Sequence, residues 1–193
     1  QGKKPSELPE RVFLIGLPTL SPGYLQIIQW LSQWSEVHLF LLNPCAEHWT
    51  EIVDFKQQAR QELVANGQEL YLEVGNPLLA SLGRQGRDFF AAINEFDPGS
   101  EERFEDPGEA TLLQRLQRQI LQLQSPPESI CRVDDSIQFQ VCHSPMREVE
   151  VLHDQLLEIL NSNQDINPQD IAVMTPDMNT YAPLIEAVFG ESN

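Results

Sequence analysis

Residues 136–160 read Ser136-Ile-Gln-Phe-Gln-Val-Cys-His-Ser-Pro145-Met-Arg-Glu-Val-Glu-Val-Leu-His-Asp-Gln-Leu-Leu-Glu-Ile-Leu160. The first part alternates, with Ile137, Phe139 and Val141 on one side and Gln138 and Gln140 on the other. Period two with β-branched and aromatic residues predicts a half-buried strand. The second part changes period. Val149, Leu152, Leu156 and Ile159 recur at helical spacing, which predicts a helix with one stripe facing a core. Ser144 followed by Pro145 is a helix start: the hydroxyl caps orphan N–H groups, and proline is tolerated at the first helical position. A further strand is expected at Ile171–Met174 and a further helix at about Tyr181–Phe189. Strand, helix, strand at this spacing is the β-α-β unit that joins parallel strands.

The rest of the chain extends that pattern toward the N-terminus. Arg11–Leu17 is a near-continuous apolar run, expected as a strand buried on both faces. Ser21-Pro22-Gly23 opens a helix carrying Leu25, Ile28, Leu31 and Trp34, and Glu36–Leu42 is a second buried strand. His38 inside it reads as a core histidine satisfied by a backbone group rather than as a metal ligand. Asn43-Pro44-Cys45 ends that strand. A helix is expected from Glu47 to Val64 on a stripe of Trp49, Ile52, Phe55, Ala59 and Leu63; Glu69–Val74 reads equally as a short strand or an extended approach. Asn76-Pro77 starts another helix, with Leu79, Leu82, Gly86, Phe89 and Ile93. Gly83 and Gly86 weaken it by about 1 kcal/mol each relative to alanine, so another element is expected to approach closely there.

Residues 97–110 break the pattern. They hold Pro98, Gly99, Pro107 and Gly108, with six acids against one arginine, and are expected to form a mobile acidic loop. Thr111–Gln124 is helical by its Leu112, Leu116, Ile120 and Leu123 stripe, and Ser125-Pro126-Pro127 stops it. The fold class read from this order is α/β: Rossmann-like β-α-β units with parallel strands and additional connecting helices.

Composition bounds the function. The 193 residues carry a net charge of −17, and after Arg147 there is no Lys or Arg while nine acids follow. A free-standing nucleic-acid binder needs clustered cations, so the C-terminal part reads as a solvated acidic surface. No apolar run is long enough to cross a bilayer, and no signal-peptide pattern opens the chain. Three widely spaced cysteines suggest no disulfide framework, which fits a reducing cytoplasm. The first residue is Gln rather than Met, so a fragment of a longer chain is expected.

Little catalytic chemistry is legible. There is no Gly-x-x-x-x-Gly-Lys-Ser/Thr phosphate loop, no Gly-x-Gly-x-x-Gly turn and no Gly-x-Ser-x-Gly elbow. Cys45 and His48, with Cys131, Cys142, His143 and His153, match no common zinc spacing. Cys142 before a helix start reads as a buried structural thiol, with an activated thiolate as the rarer alternative. No catalytic residue, metal ligand or cofactor is assigned. The candidates for contact with DNA or a partner are Arg84 and Arg87, at i, i+3, and the helix-start group His143, Ser144 and Arg147.

These residues also carry a resemblance. Val141 to Asp154, Asn43-Pro44-Cys45, Asn76 to Asp88, and Asp170 to Met174 with Ala187 to Gly190 are similar, in the same order, to segments of the gamma chain of bacterial exodeoxyribonuclease V, the RecC family. The resemblance runs from about Arg11 to Gly190. It implies a piece of the N-terminal helicase-like part of a longer subunit, RecA-like in fold and related to superfamily-one helicases. It implies a loss of their ATPase motifs, in keeping with the missing phosphate loop. By this matching, residues 1–42 end a first helicase-like lobe, 43–130 are a helical connection containing the acidic loop, and 131–193 start a second lobe. In active relatives an Arg-containing turn follows the strand matched by Ile171–Met174; here Thr175-Pro176-Asp177 stands there. The implied partners are the beta and alpha subunits, RecB and RecD, and the implied role is double-strand-end processing and Chi recognition. No Chi-reading residue can be matched. Weak DNA binding is expected of this chain alone. The alternatives are an assembly module that meets partner subunits with no ligand of its own, and a Rossmann-like enzyme using a nucleotide or Cys142.

Overall fold

The computed structural model describes residues 8–54, 58–60, 75–127 and 134–190. The chain forms two compact units, Gln1–Ser136 and Ile137–Asn193. The architecture is mixed α/β with a small parallel sheet.

The N-terminal unit begins with a β-α-β turn: β1 (Arg11–Ile15), α1 (Pro22–Leu31) and β2 (Glu36–Phe40). The strands pair in parallel, Arg11 opposite Glu36 through Ile15 opposite Phe40. Proline at the start of α1 falls where its missing N–H would have been unpaired anyway. Leu25 is buried, and Ile28, Leu31 and Trp34 are partly covered, as the helical period predicts. The strands differ from expectation. Neither is buried on both faces: among the described residues they pair only with each other, and Ile15 is 71% exposed. A run of apolar residues shows that a strand can be covered, not that it is. His38 is not a core histidine either. It is partly exposed, stacks on Phe13 with ring centres 5.0 Å apart, and lies 3.2 Å from Glu36. Arg11 Nε donates to Glu36 at 2.8 Å, and that guanidinium holds the Glu36 carboxyl below its usual range.

After β2, two asparagine–proline pairs organise the core. Asn43 Oδ1 accepts from the Cys45 backbone N–H at 3.3 Å and the Trp49 indole N–H at 3.0 Å. Those bonds hold the start of an irregular loop, residues 43–54, that buries Cys45, Trp49 and Ile52. The helix expected from Glu47 is therefore absent over residues 47–54. Residues 58–60 are helical, and the remainder of that prediction, with residues 69–74, lies outside the described residues. Asn76, itself buried, caps α2 (Pro77–Leu82) by accepting from Leu78 and Leu79 N–H, and its amide donates to Gln124 O at 2.9 Å. Cap and long-range tie use opposite ends of one side chain, so both its oxygen and its amide nitrogen are bonded in the core.

The single helix expected after Asn76 is broken at Gly83 into α2 and α3 (Arg84–Asn94). The expected close approach is there, and Trp49 supplies it. A Cβ on Gly83 would sit 2.5 Å from Leu79 O and 3.2 Å from the Trp49 ring, and one on Gly86 would meet the same ring at 3.5 Å. A second cluster joins Phe89 and Ile93 of α3 to Leu25, with Leu20, Leu39, Leu41 and Phe96 packed around it. The helix α4 (Leu112–Leu121) starts on a capping box between Thr111 and Gln114 and sends Ile120 into the Trp49 cluster. Asp134 and Ser136 accept from Leu112 and Leu113 N–H and satisfy further orphan donors of that start.

The C-terminal unit pairs α5 (Pro145–Ser162) with α6 (Met178–Phe189). Ser144 caps α5 through Arg147 N–H at 3.3 Å, as its sequence predicts. The flanking strands are not formed. Residues 137–142 and 171–174 carry no regular secondary structure and are unpaired among the described residues, and Phe139, Val141 and Met174 are 89%, 98% and 90% exposed. Alternation makes a chain suitable for a sheet; a ladder needs a second strand within hydrogen-bonding distance. The two helices meet through His153 against Phe189, ring centres 4.9 Å apart, and through Tyr181 O–H donating to Glu148 at 2.5 Å.

Candidate functional site

The residues singled out for DNA or partner contact do not converge. Arg84 and Arg87 share the first turns of α3, and helical spacing makes them neighbours. Their environments differ. Arg87 is buried at 6% exposure, and its Nη1 donates to the carbonyl of Ile52 in the Trp49 loop. Asp88 lies 3.7 Å from its Nε. Arg84 is exposed and forms no ion pair among the described residues. The expected cationic pair is thus one structural arginine and one surface arginine. Spacing along a helix says which residues share a face, not which face is covered.

At the start of α5, Ser144 is committed to its cap and His143 is exposed. Arg147 donates to Glu150 at 2.9 Å one turn on. An anion arriving there would compete with a carboxylate already in place. Elsewhere Arg11 pairs with Glu36, Arg103 with Glu101, Arg115 with Asp134, and Arg118 with Asp106 and Glu109. Most described arginines therefore have their charge met locally, and among the described residues little cationic surface remains to attract phosphates.

No group of three or more metal-ligating side chains exists among the described residues. Cys45 is fully buried, its thiol 3.4 Å from Leu121 O, whereas His48 is exposed beside Thr50 and Glu51. Cys131 lies outside the described residues. Burial pushes the Cys45 thiol pKa up, which suppresses the thiolate. Cys142 is partly exposed rather than buried in a strand. In the native chain the fully buried Cys45 is expected to alkylate more slowly than the partly exposed Cys142, because the reagent must reach the sulfur and only thiolate reacts. Peptide mapping after a short iodoacetamide pulse checks this, and equal labelling of the two would contradict it.

The residues that organise this unit are Asn43, Asn76 and Trp49. The repeated Asn-Pro pair was their signal in the sequence, and its long-range half, Asn76 to Gln124, had none.

Comparison with known proteins bears on this arrangement. Residues 1–123, from before β1 to just past α4, match the family described as RecC, N-terminal domain. The chain belongs to the RecC family. It is 38% identical to the RecBCD enzyme subunit RecC of Haemophilus influenzae over 99% of its length, and 36% identical to that of Escherichia coli K12 over 97%. The RecC of Mycolicibacterium smegmatis is 35% identical over 97%. The chain spans only 20% of the first two relatives and 17% of the third. The likeness to RecC continues past residue 123, since these relatives align through α5 and α6 as well. Among the described residues no helix is long and apolar enough to cross a membrane.

Proposed function

We propose that this chain is a non-catalytic, helicase-like part of a RecC-type subunit, working in the cytoplasm with RecB-type and RecD-type partners on DNA double-strand ends, in recombinational repair and Chi recognition. The observation that carries the reading is membership of the RecC family across nearly the whole chain. Two features agree with it. The sequence has no phosphate loop, so the backbone nest and lysine that cradle nucleotide phosphates are missing. The parallel β-α-β start is the kind of unit from which RecA-like lobes are built. Residues 1–42 would then close a first lobe, 43–130 connect, and 131–193 open a second. On this reading DNA is handled through the full complex, with cationic surface from other domains and subunits.

The expected results are no magnesium-dependent ATPase activity, and single-stranded DNA binding weaker than micromolar at about 0.15 M salt, where screening is strong. Fluorescence anisotropy with a labelled oligonucleotide measures the second. Submicromolar affinity, or hydrolysis by the pure chain, would sink the reading.

A second reading, an assembly module with no ligand of its own, is favoured by one observation. His153, Leu156, Leu157, Leu160, Ile171 and Phe189 line an apolar cavity of ≈330 Å³ in the C-terminal unit. Retention on an immobilised RecB-type subunit, with no DNA binding in the reconstituted complex dependent on this chain, would favour it over the first.

A further inference from the structure

We propose that the cleft beside α4 is a phosphate-binding site held closed by the chain's own acidic loop, with Asp106 and Glu109 standing where a phosphate oxyanion would bind. The cleft holds ≈480 Å³ and is lined by Glu109, Arg115, Arg118, Gln119, Gln122 and Gln124. Two guanidinium groups one helical turn apart, with side-chain amides beside them, form a donor set for phosphate. Arginine's planar fork matches that geometry in pairs of hydrogen bonds.

Arg118 is already engaged, among the described residues only by the loop. Its Nη1 pairs with Glu109 and its Nη2 lies 3.2 Å from Asp106. Its Nε is buried with no hydrogen-bond partner among the described residues. The two carboxylates thus leave one donor of the fork unsatisfied, and a buried unmet N–H is unfavourable. A tetrahedral phosphate presents more acceptor oxygens and can meet Nε and a terminal nitrogen together. Arg115, one turn before Arg118, lies 3.9 Å from Asp134, which also caps the start of α4. Asp106 also accepts from Gly108 N–H at 2.9 Å, where the backbone turns at positive φ, so the loop presents its acids in a defined turn.

The loop therefore competes in cis with any phosphate. Its sequence carries more acids than Arg115 and Arg118 can neutralise, which accounts for the weak DNA binding expected of the native chain. Removing the two loop charges should reverse that. The test uses the full 193-residue chain, wild type against the double variant Asp106→Asn with Glu109→Gln. Asparagine keeps an oxygen for Gly108 N–H. Inorganic pyrophosphate is read by thermal shift and a labelled single-stranded oligonucleotide by anisotropy. The double variant is expected to bind about tenfold more tightly than wild type, the scale of one charge-assisted hydrogen-bond pair. A gain with both probes assigns the site to phosphate groups in general; a gain with the oligonucleotide alone assigns it to a phosphodiester backbone. Adding Arg118→Lys, which keeps charge and stem but loses the fork, should remove most of the gain. Circular dichroism verifies that each variant is folded. The proposal is overturned if the folded double variant gains nothing with either probe, or if Arg118→Lys leaves the gain intact. It is also overturned if Glu158→Gln with Glu186→Gln, the same charge change in the other unit, produces the gain.

Discussion

Trp49→Ala is expected to lower the stability of the N-terminal unit by about 3–5 kcal/mol, the range for removing a large aromatic from a packed core. Trp49 is 3% exposed and packs with Cys45, Ile52, Leu79 and Ala80, with Phe90, Ile120 and Leu123 around them. Its ring centre lies 5.7 Å from that of Phe90, and Gly83 and Gly86 leave room for it against the α2–α3 break. The indole N–H is also the donor to Asn43. Alanine would leave a cavity that glycines on the far side cannot fill, and would free the Asn43 oxygen that shapes the loop. Trp49→Phe separates the two contributions: it keeps most of the ring, loses the N–H, and should cost about 1 kcal/mol for the hydrogen bond plus a smaller packing loss. Urea unfolding followed by far-ultraviolet circular dichroism measures both. A loss under about 1 kcal/mol for Trp49→Ala, well below the core range, would show that this cluster is not what holds the unit together.

The second large effect separates two arginines that sequence treats alike. Arg87→Ala is expected to destabilise the chain by about 1.5–3 kcal/mol, the scale of a buried hydrogen bond to a charged group. It leaves the Ile52 carbonyl without the Arg87 donor and removes a packed stem between α3 and the Trp49 loop. Arg84→Ala, on the exposed side, should lie within about 0.5 kcal/mol of wild type. Arg87→Met, which keeps the stem, should fall between. The same denaturation experiment reads all three. If Arg84 and Arg87 were instead a DNA-contact pair, both alanine variants would keep wild-type stability and lose oligonucleotide binding together, and that result would restore the surface reading.

The legible parts of this chain share one property: their cause lies within a few residues. Ser144-Pro145 and Asn76-Pro77 start helices because a side chain satisfies N–H groups two or three positions on. Helical stripes at Leu25 and Val149 follow from the 3.6-residue period, and both residues are buried. The acid excess and the missing phosphate loop are likewise read directly.

What sequence could not settle depended on partners far along the chain. Ile137–Val141 and Ile171–Met174 carry the strand alternation and remain unpaired among the described residues, because a ladder is a relation between two segments. Trp49 carries a helical stripe with Ile52, yet a side-chain acceptor six residues back bends that stretch into a loop. Gly83 marked a close approach without naming the ring that makes it. Arg87 and Arg84 have the same side chain and adjoining helical positions; only the packing of the 43–54 loop against one side of α3 buries the first and leaves the second in water. Local capping and periodicity determined where the helices α1, α2, α4 and α5 begin and which stripe they bury, but did not decide whether residues 47–54 are helical. Burial, strand pairing and the pairing of each arginine were decided by tertiary contact, since desolvation and hydrogen bonding depend on what arrives from elsewhere in the fold.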